Sequence, residues 1–174
     1  MVYSILIILF VLCITSVIGY LLSVWYLRYG PQEGSLTFGQ EDVPIRTKIP
    51  NWRNQLGYID LITVVNYVRK YFKKSTKYNS KKIIQKVDFV FVDELNRTAL
   101  NLPSGKACGL VGRVFCYNTL GYRYAILINT KSVYERRLTS EQFAGLLLHE
   151  YKHVWIHEKY GEADPLETRP EWRE

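Results

Sequence analysis

Thiol, thioether and imidazole groups are scarce in this 174-residue chain, which has three cysteines, one methionine and three histidines. Three cysteines are too few for a disulfide-framed scaffold. With six prolines and eleven glycines, the chain is neither collagen-like nor a low-complexity linker. Charge is absent from one end, since none of the 23 basic and 16 acidic side chains precedes Arg28. Aromatics are plentiful, with 14 Tyr, 7 Phe and 4 Trp, and 48% of residues are apolar, so a packed core is expected rather than a disordered chain. The net charge of +7 suits an anionic partner and carries no information about fold.

Residues 2–27 are apolar apart from a few hydroxyls. At about 1.5 Å per residue this run exceeds the roughly 20 residues that cross a hydrocarbon core. The expectation is a single-pass transmembrane helix, with the lipid bilayer as partner through residues 2–27. A cleaved signal peptide fits less well, because Met1-Val2-Tyr3-Ser4 carries no basic residue and the run ends in Trp25, Tyr26 and Leu27. Trp25, Tyr26 and Tyr29 resemble an interfacial belt, and positive charge flanks the C-terminal side only, which places the following domain in the cytosol. Cys13 then lies in the bilayer, and Cys108 and Cys116 read as reduced packing residues. Were the domain extracytoplasmic, that pair and the sequon Asn96-Arg97-Thr98 would gain meaning.

Residues 30–57 form a linker or irregular segment in this reading, because three prolines and four glycines fall between Gly30 and Gly57. Over residues 58–74, Ile59, Ile62, Val65, Val68 and Phe72 recur at helical spacing. The helix runs into Lys73, Lys74, Lys77, Lys81, Lys82 and Lys86, interleaved with Tyr71 and Tyr78. Contact with solvent or anionic lipid is the favoured reading of that stretch, and nucleic acid the less favoured one. Strands are expected over residues 87–93, 107–117 and 124–129, the last two joined by a turn at Asn118-Thr119-Leu120-Gly121. Thr139 and Gln142 make a capping box, so a helix is expected from Ser140 to about Tyr160, stopped by Gly161.

All three histidines lie on that last helix, and His149-Glu150-x-x-His153 is an HExxH pattern. Residues four apart share a helix face, so His149 and His153 can bind one metal ion while Glu150 stands beside it to move protons. HExxH also arises by chance on solvated helices. Phe143, Leu147 and Val154, with Leu148 and Trp155 at the margin, make an apolar anchoring face. Gly145, Leu146 and Ile156 near the histidines are residues a merely solvated face does not require.

The run from Leu138 to His153 resembles the active-site helix of zincin metallopeptidases, and the strand, hairpin and strand before it are similar to their upper sheet. Metzincins place Gly three residues and His six residues after the second histidine; here Ile156 and Lys159 stand there. The gluzincin branch, which takes a glutamate from a following helix as third ligand, is the better match. Glu167, in the helix start Asp164-Pro165-Leu166-Glu167, is the first choice for that ligand, although a glutamate there can serve only a cap. Glu171 is the second choice, with Pro170 disturbing its geometry. His157 lies two turns from His149 and is disfavoured.

The resemblance implies an α+β architecture: a small zincin-like domain, a short sheet packed on the HExxH helix, over residues 58–174, after one transmembrane helix in the anchor of residues 1–29. It also implies a zinc-dependent peptidase with Zn²⁺ on His149, His153 and Glu167, Glu150 as general base then acid, and a peptide or protein substrate. The strand around residues 125–129 is the expected edge for pairing with an extended substrate. The alternative is a membrane-tethered binding or scaffold protein in which the HExxH is incidental.

Overall fold

The computed structural model describes residues 6–17, 29–93, 109–116 and 121–161. Residues 6–17 form a helix, α1, whose side chains are all exposed. Among the described residues no helix is long and apolar enough to cross a membrane. This overturns the expected architecture of one transmembrane helix followed by a domain. The rest of the 2–27 run lies outside the described residues.

The segment expected as a linker instead carries two strands and a helix. Strand β1 (Gln32–Phe38) and β2 (Glu41–Thr47) form an antiparallel hairpin, with Leu36, Phe38, Val43, Ile45 and Thr47 buried at alternate positions. Alternation of this kind buries one face of a sheet. Pro44 does not interrupt the next ladder, because β2 pairs with β3 only from Ile45 to Thr47. Helices α2 (Trp52–Leu56) and α3 (Leu61–Lys74), a 3-10 turn (Thr76–Tyr78) and α4 (Lys81–Ile84) then lead to β3 (Val87–Val92). Next come β4 (Gly109–Cys116), β5 (Gly121–Asn129), α5 (Thr130–Glu135) and α6 (Ser140–Tyr160).

Among the described residues the sheet has five strands in the order β1-β2-β3-β5-β4. Strands β2, β3 and β5 are mutually parallel, and β1 and β4 close the two sides antiparallel. Strands β4 and β5 pair antiparallel as expected, with Cys116 opposite Gly121, and residues 117–120 of the expected turn lie outside the described residues. Their order in the sheet differs from the expectation. Strand β5 is interior, and β4 is the edge among the described strands.

Helices α3 and α6 pack against each other on one face of the sheet, α3 against β1 and α6 against β4 and β5. Phe38, Phe72, Phe89 and Tyr151 meet between them edge to face, with ring centroids 5.2 to 5.8 Å apart, so β1, α3, β3 and α6 share one aromatic centre. Asp60 caps α3 by accepting hydrogen bonds from the amides of Ile62 and Thr63. This start sets the helical phase: Val64, Val68 and Phe72 are buried, whereas Ile62 is 72% exposed, unlike the stripe expected from the sequence. On the opposite sheet face Val90 and Ala125 pack with Tyr29, and the buried Asp88 carboxylate is held between Arg46 and Arg123.

Candidate metal centre

The helix that carries the histidines is fixed at both ends and along one side. Thr139 accepts a hydrogen bond from the Gln142 amide while the Gln142 side chain accepts one from the Thr139 amide, completing the capping box. At the other end Gly161 takes φ 75, a left-handed conformation that closes the helix with its amide donating to the His157 carbonyl. The Ser140 hydroxyl accepts from the Asp60 amide, tying the starts of α6 and α3 together. The Tyr151 hydroxyl donates to the Tyr78 carbonyl at 2.8 Å, and the Trp155 indole donates to the Lys77 carbonyl at 3.2 Å. Burial pushes the Tyr151 phenol well above the ordinary tyrosine range, so it remains a donor at any physiological pH.

These bonds set the rotation of α6. Tyr151 and Trp155 face the 3-10 turn, and at 100° per residue His149 and His153 lie roughly 160° to 200° around the helix from Tyr151. Both histidines are half-buried, and their ring centroids are 5.1 Å apart with the planes at 87°. An imidazole that ligates a metal at about 2.1 Å has its centroid roughly 3.2 Å from the ion. Two such rings at near-tetrahedral angles stand about 5 Å apart. The centroid spacing is therefore compatible with a shared zinc ion.

Glu150 follows His149 along the helix. It is 6% exposed and lies against Gly109 at the start of β4, where an added Cβ would come within 2.6 Å of the Glu150 Oε1. The glycine permits the carboxylate to approach the backbone of the edge strand. A glycine in an otherwise β-branched strand often marks close approach of this kind. That was the available signal for Gly109, whose partner became identifiable only once β4 was placed over α6.

His157 turns away from the histidine pair, with its Nδ1 3.1 Å from the Tyr124 hydroxyl. Tyr124 also donates to Glu158 at 2.8 Å, and Glu158 is ion-paired with Lys86. Lys152 is buried as well, with its Nζ 5.2 Å from the Tyr78 ring centroid. Around Gly145 no described atom lies within 4 Å of the Cβ position, so among the described residues no other backbone makes the close approach that a glycine there would permit.

Among the described residues no group of three or more His, Cys, Asp and Glu side chains converges to hold a metal ion. Glu167 and Glu171, the two candidates for the third ligand, lie outside the described residues, as do Cys108 and the Asn96 sequon. The open hollow bounded by Thr47, Lys48, Ile49 and Trp52, about 460 Å³ in volume, contains none of the site residues. Comparison of the chain with protein-family models, curated proteins and solved structures finds no match.

Proposed function

We propose that this protein is a zinc-dependent peptidase in which His149 and His153 supply two of the metal ligands and Glu150 moves the protons. The observation that carries this reading is a juxtaposition: two half-buried imidazoles one helical turn apart, 5.1 Å between centroids, beside a glutamate buried under the edge of a sheet. Solvated histidines do not require a buried glutamate next to them. Burying an ionisable carboxylate is costly unless the site uses it or compensates it.

The division of labour follows from the side chains. Bound zinc supplies Lewis acidity and acidifies a water in the site. The imidazoles of His149 and His153 hold their positions because α6 is clamped along its Tyr151 and Trp155 side. Glu150 takes a proton from the attacking water and returns it to the leaving amine, the role open to a carboxylate that stands beside the ligand pair. Strand β4 pairs with β5 and forms the sheet edge above this helix, so an extended peptide can add along its outer side through main-chain hydrogen bonds. This moves the substrate edge from β5, the earlier expectation, to β4. Glu167, with Glu171 as second choice, remains the proposed third ligand.

Elemental analysis of the purified full chain tests the reading. About one zinc per chain is expected, falling to a small fraction in His149→Ala and in His153→Ala. Glu150→Gln should keep its zinc and lose about 10²- to 10⁴-fold in turnover of a peptide library. A wild-type protein that takes up no zinc under zinc-replete conditions overturns the proposal.

A further inference from the structure

The excess positive charge of this protein is concentrated in one segment. Between Leu61 and Val87 there are eight basic residues and no acidic one, and the remainder of the chain holds 15 basic against 16 acidic. The fold then displays that segment. Arg69, Lys70, Lys73, Lys74, Lys77 and Lys82 are exposed along α3, the 3-10 turn and α4. Among the described residues, acids from other elements pair at its margins: Glu41 with Lys81 at 3.3 Å, and Glu158 with Lys86. Among the described residues no ion pair engages Arg69, Lys70, Lys73, Lys74 or Lys82. The buried side of α3, through Val64, Val68 and Phe72, holds the helix on the sheet, so its cationic side stays presented to the outside.

We infer that this face docks on an anionic phospholipid surface. Three observations favour lipid over nucleic acid. Seven of the eight basic residues are lysines, hydrated point charges suited to a diffuse anionic plane rather than to bidentate reading of phosphates or bases. The aromatics interleaved with them are not an open stacking platform, since Tyr78 is 0% and its neighbour Trp155 5% exposed. The same chain also exposes Leu6, Ile7, Phe10 and Leu12 on α1, an apolar surface that a headgroup boundary accommodates and a nucleic acid does not. An exposed apolar helical stretch and a polybasic face together make the two weak signals that stable peripheral binding requires. The face lies at the amino end of β3, whereas Lys48, Arg53 and Lys131 lie at the carboxyl ends of β2 and β5. The inference is independent of the metal centre.

The experiment is co-sedimentation of the full chain with vesicles of phosphatidylcholine alone and with about 30% phosphatidylserine. Partition should be much stronger onto the anionic vesicles and should fall as salt rises from about 0.1 M towards 1 M, where the Debye length shrinks to about 3 Å. The triple variant Lys70→Glu, Lys73→Glu, Lys74→Glu should lose at least about 100-fold in partition onto anionic vesicles and nothing onto neutral ones. Lys48→Glu, Arg53→Glu, Lys131→Glu makes the same change in net charge elsewhere and should lose far less. The corresponding glutamine variant at positions 70, 73 and 74 keeps the test valid if the glutamates disturb α3. Equal partition onto both vesicle types, equal losses in the two triple variants, or tighter binding to random-sequence RNA than to anionic vesicles at the same salt overturns the inference.

Discussion

Helices α3 and α6 lie side by side on the same sheet face, each with a side chain capping its N-terminus, yet they use their surfaces in opposite ways. Helix α3 buries three of its 14 residues in a single stripe, and its outer side is lysine, arginine and exposed apolar residues. Helix α6 buries ten of 21, among them Glu150 and Lys152. Its flanks are covered by α3 and the 3-10 turn on one side and by β4 on another. A one-sided helix can carry any polar residue outside at little cost. A helix enclosed on several sides can keep a charged group inside only where a partner or a task compensates it. The buried polar residues of α6 are therefore ones that a partner or a task must compensate, whereas those of α3 shape surface electrostatics.

Substitutions can break this contrast or sharpen it. Phe72→Ala removes a ring from the shared aromatic centre and should cost about 3 to 5 kcal/mol, whereas Ile62→Ala on the outer side of α3 should stay within about 0.5 kcal/mol. Urea unfolding monitored by circular dichroism measures both, and similar losses would mean that α3 is not one-sided. Gly109→Ala places a methyl group within reach of the Glu150 carboxylate and should destabilise by about 1 to 3 kcal/mol. It should also lower peptidase turnover by about 100-fold with zinc retained, because a proton-transfer group displaced by about 1 Å loses its alignment. Activity and zinc content of one preparation separate that outcome from loss of the fold.

Thr139→Ala removes half of the capping box of α6 and should cost about 1 kcal/mol in thermal or urea unfolding. The smallest effect concerns Asp60. Hydrogen bonds from the Thr63 side chain and the Ile62 amide hold its carboxyl below the usual aspartate value of 3.8. Its contribution to stability is therefore present above the unfolded pKa and lost as pH falls through the lower folded one. Asp60→Asn keeps a capping acceptor without that titration, so stability measured between about pH 5 and pH 2 should fall less steeply in the variant.

Local chemistry was legible wherever it was sufficient. The capping box of Thr139 and Gln142, the stop at Gly161 and the helix between them follow from contacts within a few residues, and all three are found where the sequence places them. The same holds for β3 and for the β4–β5 hairpin. The first hairpin was obscured by Pro31, Pro44 and Pro50, which read as breakers until the register shows that Pro44 lies before the β2–β3 ladder begins. The phase of α3 was misread because Ile59 precedes the cap and Ile62 falls outside the buried stripe. The long apolar run at the N-terminus suggested a span by composition alone, and among the described residues no helix of that length and character is present.

By itself the sequence determined that His149 and His153 share one face of a capped helix with Glu150 between them, because helical periodicity depends only on neighbours along the chain. It also determined where the positive charge is concentrated. Which strand forms the edge over that helix was decided by tertiary structure, as was the burial of Glu150 against Gly109, since they depend on the β3–β5 pairing and the Gly109–Glu150 contact, between residues some 40 apart. The display of the lysines on an outer face was decided in the same way. Packing of Val64, Val68 and Phe72 against the sheet selects which side of α3 is left outside.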